Sequence, residues 1–395
     1  MRVLHISSAR TFGGGERHLL DLARGLSQRG HEVFVALSAD SPLHEALAAV
    51  TRHNVFTLSL RNALDLGSAL KLSRLARALK VEIIHAHVAR DYTLAAFAAR
   101  RATAARLIIT RHLLFPLSRA HRLALSNVSR VIAVSEAVAR TLRAQKIFDE
   151  DKIRVITNGT DVWRFEQARA ESERAHAESE RAHAESERTR AESERERDPS
   201  FRPLRVGILG ELSEVKGQED FVRAARVVAE RFGDGVEFLI GGEDASRGGE
   251  YRARIERLVA QSGLGERVKL LGRLDGDDVM RFLTSLDLLV SASRSEAFGM
   301  ALVEALACGV PVVATATEGA SEIVEEGVTG SLVPLGDVRA LAAAVASLLE
   351  DDERRRSLGA RAREVARERF DLNRMVEATE RVYAEALGHE SSPRV

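Results

Sequence analysis

The sequence predicts an α/β protein with two domains, each built on a parallel sheet of the Rossmann type. Short apolar strands alternate with helical stretches in both halves of the chain, which is the pattern of βαβ units. At 395 residues the chain is also long enough for two separate hydrophobic cores. Because such sheets bind ligands beyond the carboxyl ends of their strands, two facing domains would enclose a cleft.

The predicted strands fall into two groups, one in each half. The first group comprises 3–6, 33–37, 83–85, 107–109, 131–134 and 154–157. The second group comprises 205–209, 237–240, 268–270, 288–291 and 310–314. Each is a short apolar run that ends where a helical stretch or a turn begins.

A charged repeat separates the two groups. Residues 167–194 repeat Ala-Glu-Ser-Glu with a period of seven, and no heptad position carries a large apolar residue. A coiled coil would have nothing to bury there, so we expect a solvated insert that is partly helical or disordered. The predicted organisation is a first domain at 1–165, a heptad-repeat insert at 166–198, a second domain at 199–369, and a C-terminal helix at 370–395 that crosses back to the first domain.

The composition is that expected of a cytoplasmic protein. Hydrophobic residues make up 45% of the chain, and no apolar run reaches the about 18 residues of a membrane span. The one cysteine, Cys308, excludes an internal disulfide and fits a reducing compartment. Met1 is followed directly by a predicted strand, which leaves no room for a signal peptide.

Charge is distributed unevenly along the chain. Residues 1–165 hold 25 Lys and Arg against 13 Asp and Glu, whereas residues 199–395 hold 26 against 34. A basic first half indicates a face that meets an anionic partner. Nucleic acid is not expected, because the basic residues are not interleaved with aromatic ones. The segment 66–80 combines leucines with Lys and Arg, so an ordinary amphipathic helix and a surface that docks on anionic lipid both stay open.

The most informative segment holds two acids on either side of a predicted helix start. Glu296 precedes the helix, and Glu304 follows eight residues later among apolar neighbours, where an unpaired acid is costly. We place Glu304 about two turns into the helix, up to roughly 12 Å along its axis. Helix-start amides attract an anion; those expected here belong to Phe298, Gly299, Met300 and Ala301. A phosphate between two polar groups that acids recognise describes a nucleotide-sugar.

In each half of the chain, a glycine-containing turn follows the first strand. Gly13, Gly14 and Gly15 lead into a helix predicted at 17–26, where the backbone could pass close to a ligand. Lys216 and Gly217 occupy the matching place in the second half, and Lys216 would offer a positive charge to a diphosphate. Neither turn has the Gly-x-Gly-x-x-Gly spacing of a dinucleotide site.

These motifs together resemble glycosyltransferase family 4. The resemblance rests on the Glu-x7-Glu pattern, with Phe-Gly-Met after the first acid and Ala-Cys-Gly-Val-Pro-Val-Val after the second. It covers nearly all of the chain outside the insert and implies the GT-B fold, with two Rossmann-like domains facing across a cleft. The first domain would then bind the acceptor and the second the nucleotide-sugar, with retention of configuration.

The resemblance also implies roles for individual residues. Glu296 would orient the hydroxyls of the donor sugar, Glu304 would hold the ribose, and Lys216 would meet the leaving diphosphate. His112 ends a predicted strand and corresponds to a family histidine that contacts the donor sugar. The remaining donor contacts implied are the loop Gly13, Gly14 and Gly15, the turn at Gly242, and the segment Gly272, Arg273 and Leu274.

Two features resemble metal sites but do not predict one, and a third departs from the family pattern. His85 and His87 resemble a family His-x-His strand on the acceptor side, and a third metal ligand is not evident in the sequence. Asp275 and Asp277 mimic a metal motif but are better explained as the cap of a helix at 278–286. Glu211 stands where the family usually has an arginine, and Arg273 or Arg294 could compensate for the missing charge.

The sequence therefore predicts a retaining glycosyltransferase that uses a nucleoside diphosphate sugar and an acceptor hydroxyl of a glycolipid, polysaccharide or small molecule. Cell-envelope or polysaccharide biosynthesis is the expected context, with no metal and no cofactor beyond the donor. A peripheral contact of the basic first domain with the inner membrane face stays open. The alternatives are a catalytically weakened nucleotide-sugar-binding protein and a GT-B epimerase or phosphorylase.

Overall fold

The chain divides into two units. A computed structural model describes residues 1–52, 54–189, 202–244, 246 and 248–389. One unit consists of Met1–Thr160 with Phe370–Val395, and the other of Asp161–Arg369. Each unit is a layer of parallel strands covered by helices, as the alternating pattern predicts. The predicted fold class of two Rossmann-like domains is confirmed.

The first unit is built on a parallel sheet. Among its described residues there are seven strands: β1 Arg2–Ser7, β2 Glu32–Ser38, β3 Val55–Leu58, β4 Ile83–Ala86, β5 Arg106–Arg111, β6 Val128–Ala133 and β7 Ile153–Val155. Their order is β3-β2-β1-β4-β5-β6-β7, and Val3 pairs with both Val33 and Ile83 in register. The strand order reverses between β1 and β4, which places their carboxyl ends at a topological switch point.

Helices cover this sheet and one of them comes from the C-terminus. They are α1 Gly14–Gln28, α2 His44–Val50, α3 Leu66–Ala78, α4 Tyr92–Arg101, α5 His121–Ala124, α6 Glu136–Gln145 and the C-terminal helix at Leu372–Leu387. The C-terminal helix buries Met375, Val376 and Tyr383 in the core of this unit. Its contact with α1 is close, because a Cβ on Gly25 would lie 2.4 Å from Val376 Cγ2.

The second unit repeats the plan with a smaller sheet. Its described residues form six strands: β8 Leu204–Leu209, β9 Val236–Gly241, β10 Val268–Gly272, β11 Leu288–Ser291, β12 Val312–Thr315 and β13 Gly330–Val333. The order is β10-β9-β8-β11-β12-β13, so the switch point lies between β8 and β11. The helices are α7 Val162–Thr189, α8 Gln218–Phe232, α9 Glu250–Gln261, α10 Asp277–Thr284, α11 Met300–Ala307, α12 Glu318–Ile323, α13 Val338–Glu350 and α14 Asp352–Arg369; the helix Leu372–Leu387 of the first unit is α15.

The predicted insert does not begin as a separate segment. The expected boundary after residue 165 lies inside α7, because Val162 and Phe165 are buried and anchor the start of that helix. Farther along α7, the Arg169 guanidinium donates to the carbonyl of Thr284 at 2.8 Å, and Glu166 pairs with Arg367. Residues 190–198 of the predicted insert lie outside the described residues, as do 390–395 of the predicted C-terminal segment.

Two strands and several ends differ from the sequence-based prediction. β3 and β13 were not predicted, because both are four-residue edge strands with partly exposed side chains. The strand predicted at 310–314 begins only at Val312. Val310 closes the end of α11 through a bond from its N–H to the Ala305 carbonyl at 2.9 Å. None of the described helices combines the length and the apolar character that a membrane span requires.

Candidate active site

An ion pair lies at the switch point of the second unit. Lys216 follows β8 and Glu296 follows β11, and the pairing of these neighbouring strands brings their carboxyl ends together. The Lys216 ammonium donates to the Glu296 carboxylate at 2.6 Å, and the Ser293 hydroxyl lies 3.5 Å from the same oxygen. The two side chains are 31% and 15% exposed, so both charges remain accessible. Two predicted site residues that are distant in sequence are therefore in direct contact.

Backbone contacts hold this ion pair in place. Gly217 has φ of +71°, and a Cβ there would lie only 2.0 Å from the carbonyl oxygen of Ala292. The Arg294 N–H donates to the Val215 carbonyl at 2.8 Å, which ties the two loops together on the other side of Lys216. Only glycine fits such a close approach with a left-handed backbone, so the position of Lys216 depends on Gly217.

The end of β12 and the start of α12 hold the loop that carries Glu296. The Gly319 N–H donates to the carbonyl of Glu296 at 3.1 Å, and a Cβ on Gly319 would lie 2.5 Å from that oxygen. The Thr315 hydroxyl donates to the Ser293 carbonyl at 2.5 Å. The loop that carries Glu296 is thus held by two neighbouring segments, and its carboxylate has a defined direction.

The helix α11 begins immediately after this loop. Gly299 is its N-cap with φ of +106°, and the side chain of Phe298 is buried beneath it. Met300 and Ala301 are partly exposed in the first turn. The first N–H groups of a helix have no acceptor within the helix and carry partial positive charge. This end of α11 can therefore attract an anion beside Lys216.

Glu304 lies in a different place from the one predicted. It is the fifth residue of α11, so it lies one turn into the helix, about 6 Å along the axis from Met300 rather than two turns in. The predicted distance is too long because residues 296–299 form a loop instead of the first turn of the helix. Glu304 is buried, and together with burial its negative charge raises the pKa of the Cys308 thiol.

The glycines at the carboxyl ends of β8, β9 and β10 are brought together by the sheet. The Gly242 N–H donates to the Gly272 carbonyl at 2.8 Å, and the Gly210 N–H donates to the Gly241 carbonyl at 3.0 Å. Gly242 has φ of +143°, and a Cβ there would lie 1.9 Å from the carbonyl oxygen of Gly210. The Leu274 side chain packs against Gly241. The carboxyl ends of β8, β9 and β10 therefore form one continuous backbone surface.

Glu211 stands where the family usually has an arginine, and both arginines predicted to replace that charge are already paired with a carboxylate. The side chain of Glu211 is exposed. Arg273 pairs with Asp275 at 2.7 Å, and Arg294 pairs with Asp220 at 3.1 Å. Both candidate substitutes for the missing arginine already hold a carboxylate, so either would have to change partner to meet a phosphate.

In the first unit, the glycine loop lies against His112. Gly13 is the N-cap of α1 and its N–H donates to the Glu16 carboxylate at 3.0 Å. A Cβ on Gly15 would lie 3.6 Å from the His112 ring, an ordinary contact distance. Neither Gly13 nor Gly15 has a positive φ. The backbone conformation alone does not require glycine there, whereas close approach of a ligand would.

His112 is one of five histidines that lie together among the described residues of the first unit. The others are His5, His18, His85 and His87. His5 Nδ1 and His87 Nε2 are 3.0 Å apart, and the ring centroids of His85 and His87 are 4.2 Å apart. His85 bonds to Tyr383 Oη and to Thr110 Oγ1, each at 2.7 Å. A third imidazole, that of His5, therefore lies beside His85 and His87. The expectation that these two histidines lack a third metal ligand is wrong.

His5 and His18 were missed by sequence reasoning. His5 lies within a buried strand, and His18 lies on the buried face of α1 next to Leu19 and Leu22. A polar residue at each of these core positions was the available signal. Burial lowers the pKa of His5 to about 3 and that of His18 to about 4, and the pKa values of His85, His87 and His112 are also lowered, first by burial. All five imidazoles are neutral near pH 7.

Asp91 adds a carboxyl at the same switch point. The Ser8 N–H donates to its Oδ2 at 2.7 Å, and the Arg90 guanidinium donates to the Ser8 hydroxyl and carbonyl. Burial raises the pKa of Asp91 to about 6. The edge formed by β1 and β4 therefore combines neutral imidazoles with one carboxyl that is mostly ionised near pH 7 and with the Arg90 guanidinium beside it.

The two parallel sheets, together with two family models, define the class of protein. Residues 12–164 match the family model of Glycosyltransferase Family 4, and residues 191–365 match that of Glycosyl transferases group 1. Together the two models cover most of the chain. The protein is a glycosyltransferase of the GT-B type.

Curated relatives and solved structures agree with this class. The chain is 26% identical over 388 residues to N-acetyl-alpha-D-glucosaminyl L-malate synthase of Bacillus anthracis, covering 95% of this chain and 94% of the relative. It is 27% identical over 360 residues to D-inositol 3-phosphate glycosyltransferase of Mycobacterium marinum, covering 86% and 74%. The crystal structure of Anabaena HepE in complex with UDP and glucose superposes with a TM-score of 0.78 at 24% identity, covering 98% of this chain and all of that one.

Proposed function

We propose that the protein transfers a sugar from a nucleoside diphosphate donor to an acceptor hydroxyl, with retention of the anomeric configuration. The observation that carries the proposal is the contact between Lys216 and Glu296 beside the first turn of α11. A cation, a row of helix-start amides and a carboxylate at one switch point fit a diphosphate joined to a sugar.

Each group has a separate task in this proposal. Lys216 and the amides of Gly299, Met300 and Ala301 offset the charge that builds on the departing diphosphate. Glu296 then orients the sugar hydroxyls, and Glu304 is assigned to the ribose. His112, in the first unit, is proposed to contact the donor sugar.

The bonds change in one coordinated step. The bond between the anomeric carbon and the diphosphate oxygen breaks, and the acceptor oxygen bonds to the anomeric carbon on the same face. The acceptor proton passes to the leaving phosphate oxygen. We assign no carboxylate nucleophile, so a double displacement is less favoured. The step uses no cofactor or metal.

UDP-sugars are the first donors to test. HepE was solved with UDP and with UDP-glucose, and the Bacillus anthracis relative is named for N-acetylglucosaminyl transfer. A UDP-hexose or UDP-N-acetylhexosamine is therefore proposed as donor. A small hydroxylated acid or polyol is the proposed acceptor, since the two curated relatives described above are named for L-malate and D-inositol 3-phosphate.

A donor panel tests this function. UDP-, GDP- and ADP-sugars are screened by thermal shift, because a donor that binds the native state raises the melting temperature. The stabilising donor is then incubated with candidate acceptors, and NMR of the product gives the anomeric configuration. We expect retention and a loss of turnover in the double variant Glu296→Gln/Glu304→Gln.

Glu266→Gln, which alters an exposed loop acid, is the matched control and should leave turnover unchanged. Unchanged turnover in the double variant, or a product of inverted configuration, would contradict the proposal.

As a second proposal, α3 docks on an anionic membrane surface that carries the acceptor. Its residues Leu66 and Leu70 are 64% and 36% exposed, and Lys71 and Arg74 are exposed on the same helix. An apolar and basic outer surface favours anionic lipid. Sedimentation with anionic vesicles at low salt should pellet the wild type but not Lys71→Glu/Arg74→Glu. Absence of wild-type binding would remove the proposal.

A further inference from the structure

The histidine cluster of the first unit contains buried nitrogen atoms that lack hydrogen-bond partners among the described residues. They include both ring nitrogens of His18, Nδ1 of His87 and Nε2 of His112. Leaving a buried polar atom unpaired costs about 1–3 kcal/mol, so several in one place need an explanation. An occupant that accepts nitrogen lone pairs would supply one.

The rings of His18, His87 and His112 converge. One ring nitrogen from each of His18, His87 and His112 lies within 4.8 Å of the other two. A tetrahedral zinc ion with Zn–N bonds of about 2.0–2.1 Å needs nitrogens about 3.4 Å apart. The rings would have to turn to bring the three nitrogens to this separation. His112 is partly exposed, although its Nε2 is buried.

A second group of three imidazoles, His5, His85 and His87, is the weaker candidate. His85 has both ring nitrogens bonded, to Tyr383 and to Thr110. A metal there would have to break one of these 2.7 Å bonds. In the group of His18, His87 and His112, the corresponding contact is that of His18 with the Asn158 side chain, which a metal would displace or use as a ligand.

The surroundings of His87 match those of a metal-bound imidazole. Its Nε2 lies 3.0 Å from His5 Nδ1, so an N–H on Nε2 would donate to His5 and leave Nδ1 for the ion. Metal-bound histidines usually donate their other N–H to a fixed acceptor in this way.

We propose that His18, His87 and His112 form a binding site for a divalent metal ion of the zinc class. Three neutral imidazoles without a carboxylate favour Zn²⁺, Co²⁺ or Ni²⁺ over Mg²⁺, which prefers oxygen ligands. The fourth position is open to water or to Asn158. The Asn158 side chain interacts with His18, which places its amide oxygen beside the three rings.

The site has a consequence for sugar transfer, and this part rests on the proposed function. His112 is the residue assigned to the donor sugar, and an ion on its Nε2 would hold the ring away from that task. Zinc should therefore inhibit transfer, although transfer itself needs no metal.

The test uses the full chain without an affinity tag, treated with a chelator and then dialysed. Zn²⁺ is titrated by equilibrium dialysis, and Co²⁺ is followed by its visible absorption. We expect one Zn²⁺ per chain and a Co²⁺ spectrum of nitrogen ligation in four-coordinate geometry. His18→Gln should weaken Zn²⁺ binding at least about tenfold. His389→Gln, at an exposed histidine outside the cluster, should not change it.

Zinc K-edge absorption spectroscopy of the wild type provides a second readout if His18→Gln does not fold. A shell of three imidazole nitrogens supports the site. The absence of saturable binding, or binding that His389→Gln abolishes and His18→Gln does not, overturns it. Dialysis needs no donor, so zinc binding without sugar transfer would count against the proposed function alone. Zinc binding with uninhibited transfer would overturn the inhibitory consequence.

Discussion

The two units place different chemistry at equivalent edges of similar sheets. At the β1/β4 edge of the first unit, the polar groups are buried neutral imidazoles and the Asp91 carboxyl. At the β8/β11 edge of the second unit, the groups are the charged Lys216 and Glu296, placed by glycines whose conformation no other residue could adopt without strain. The first edge is built mainly from side chains, and the second mainly from backbone. The same fold therefore tolerates different substitutions in its two halves.

The largest effect is expected at the charged edge. Lys216→Met should lower turnover about 100- to 1,000-fold, because it removes a charge that meets the developing negative charge of the diphosphate. The measurement is steady-state kinetics with the donor found in the panel. Lys269→Met is the matched control, since Lys269 also pairs with a glutamate, Glu237, but on strands away from α11. Equal losses in both variants would show a general effect on folding rather than on the site.

Acid should lower the stability of the first unit, where the buried histidines lie. In the unfolded chain a histidine has a pKa near 6.5, whereas burial lowers those of His5 and His18 to about 3 and about 4. Between these values the unfolded state binds protons that the folded state does not, so the free energy of unfolding falls as pH falls below about 6.5. His18 alone accounts for about 3 kcal/mol by pH 4. The raised pKa of Asp91 offsets part of the total, because the folded state binds that proton at a higher pH than the unfolded state does.

Hydrogen exchange at several pH values, corrected for intrinsic rates, measures this difference. Amides of β1 and β4 should lose protection before those of β8 and β11. His389→Gln should leave the slope unchanged, because that residue is exposed. Simultaneous loss in both sheets would contradict the assignment.

Glycine substitutions should separate backbone from side-chain construction. Gly242→Ala should lower the free energy of unfolding by about 3 kcal/mol, because φ is positive and a Cβ would clash with the Gly210 carbonyl. Gly263→Ala has the positive φ without a clash and should cost about 1 kcal/mol. Gly15→Ala meets neither obstacle and, because Gly15 lies in the first turn of α1, should raise the free energy of unfolding by up to about 1 kcal/mol. Urea unfolding gives all three values, and equal costs would refute the distinction.

The smallest effect is expected at Glu211. Its side chain is exposed, so Glu211→Arg should change donor affinity by no more than about threefold, as is usual for surface charges. Isothermal titration with the donor at two salt concentrations tests this. A large loss of affinity would show that the carboxylate has a positive role in donor binding.

Much of the second site could be predicted because its parts are close in sequence. Glu296, Gly299 and α11 follow one another, and the alternation of strands and helices indicated that Lys216 lies at the head of the second sheet. The predicted position of Glu304 was wrong, because the sequence does not show that the helix begins four residues after Glu296. The edge strands β3 and β13 were missed because partly exposed strands lack the continuous apolar run of buried ones.

The sequence alone determined the class of fold, the two-domain organisation and the order of the motifs, because hydrophobic periodicity and turn residues are local properties of the chain. Only the tertiary structure decided that His5 and His18 join His85, His87 and His112, since residues on β1, α1, β4 and the end of β5 meet only when the sheet forms. A buried histidine is polar in a run of apolar residues, but nothing local reveals which other histidine it will face.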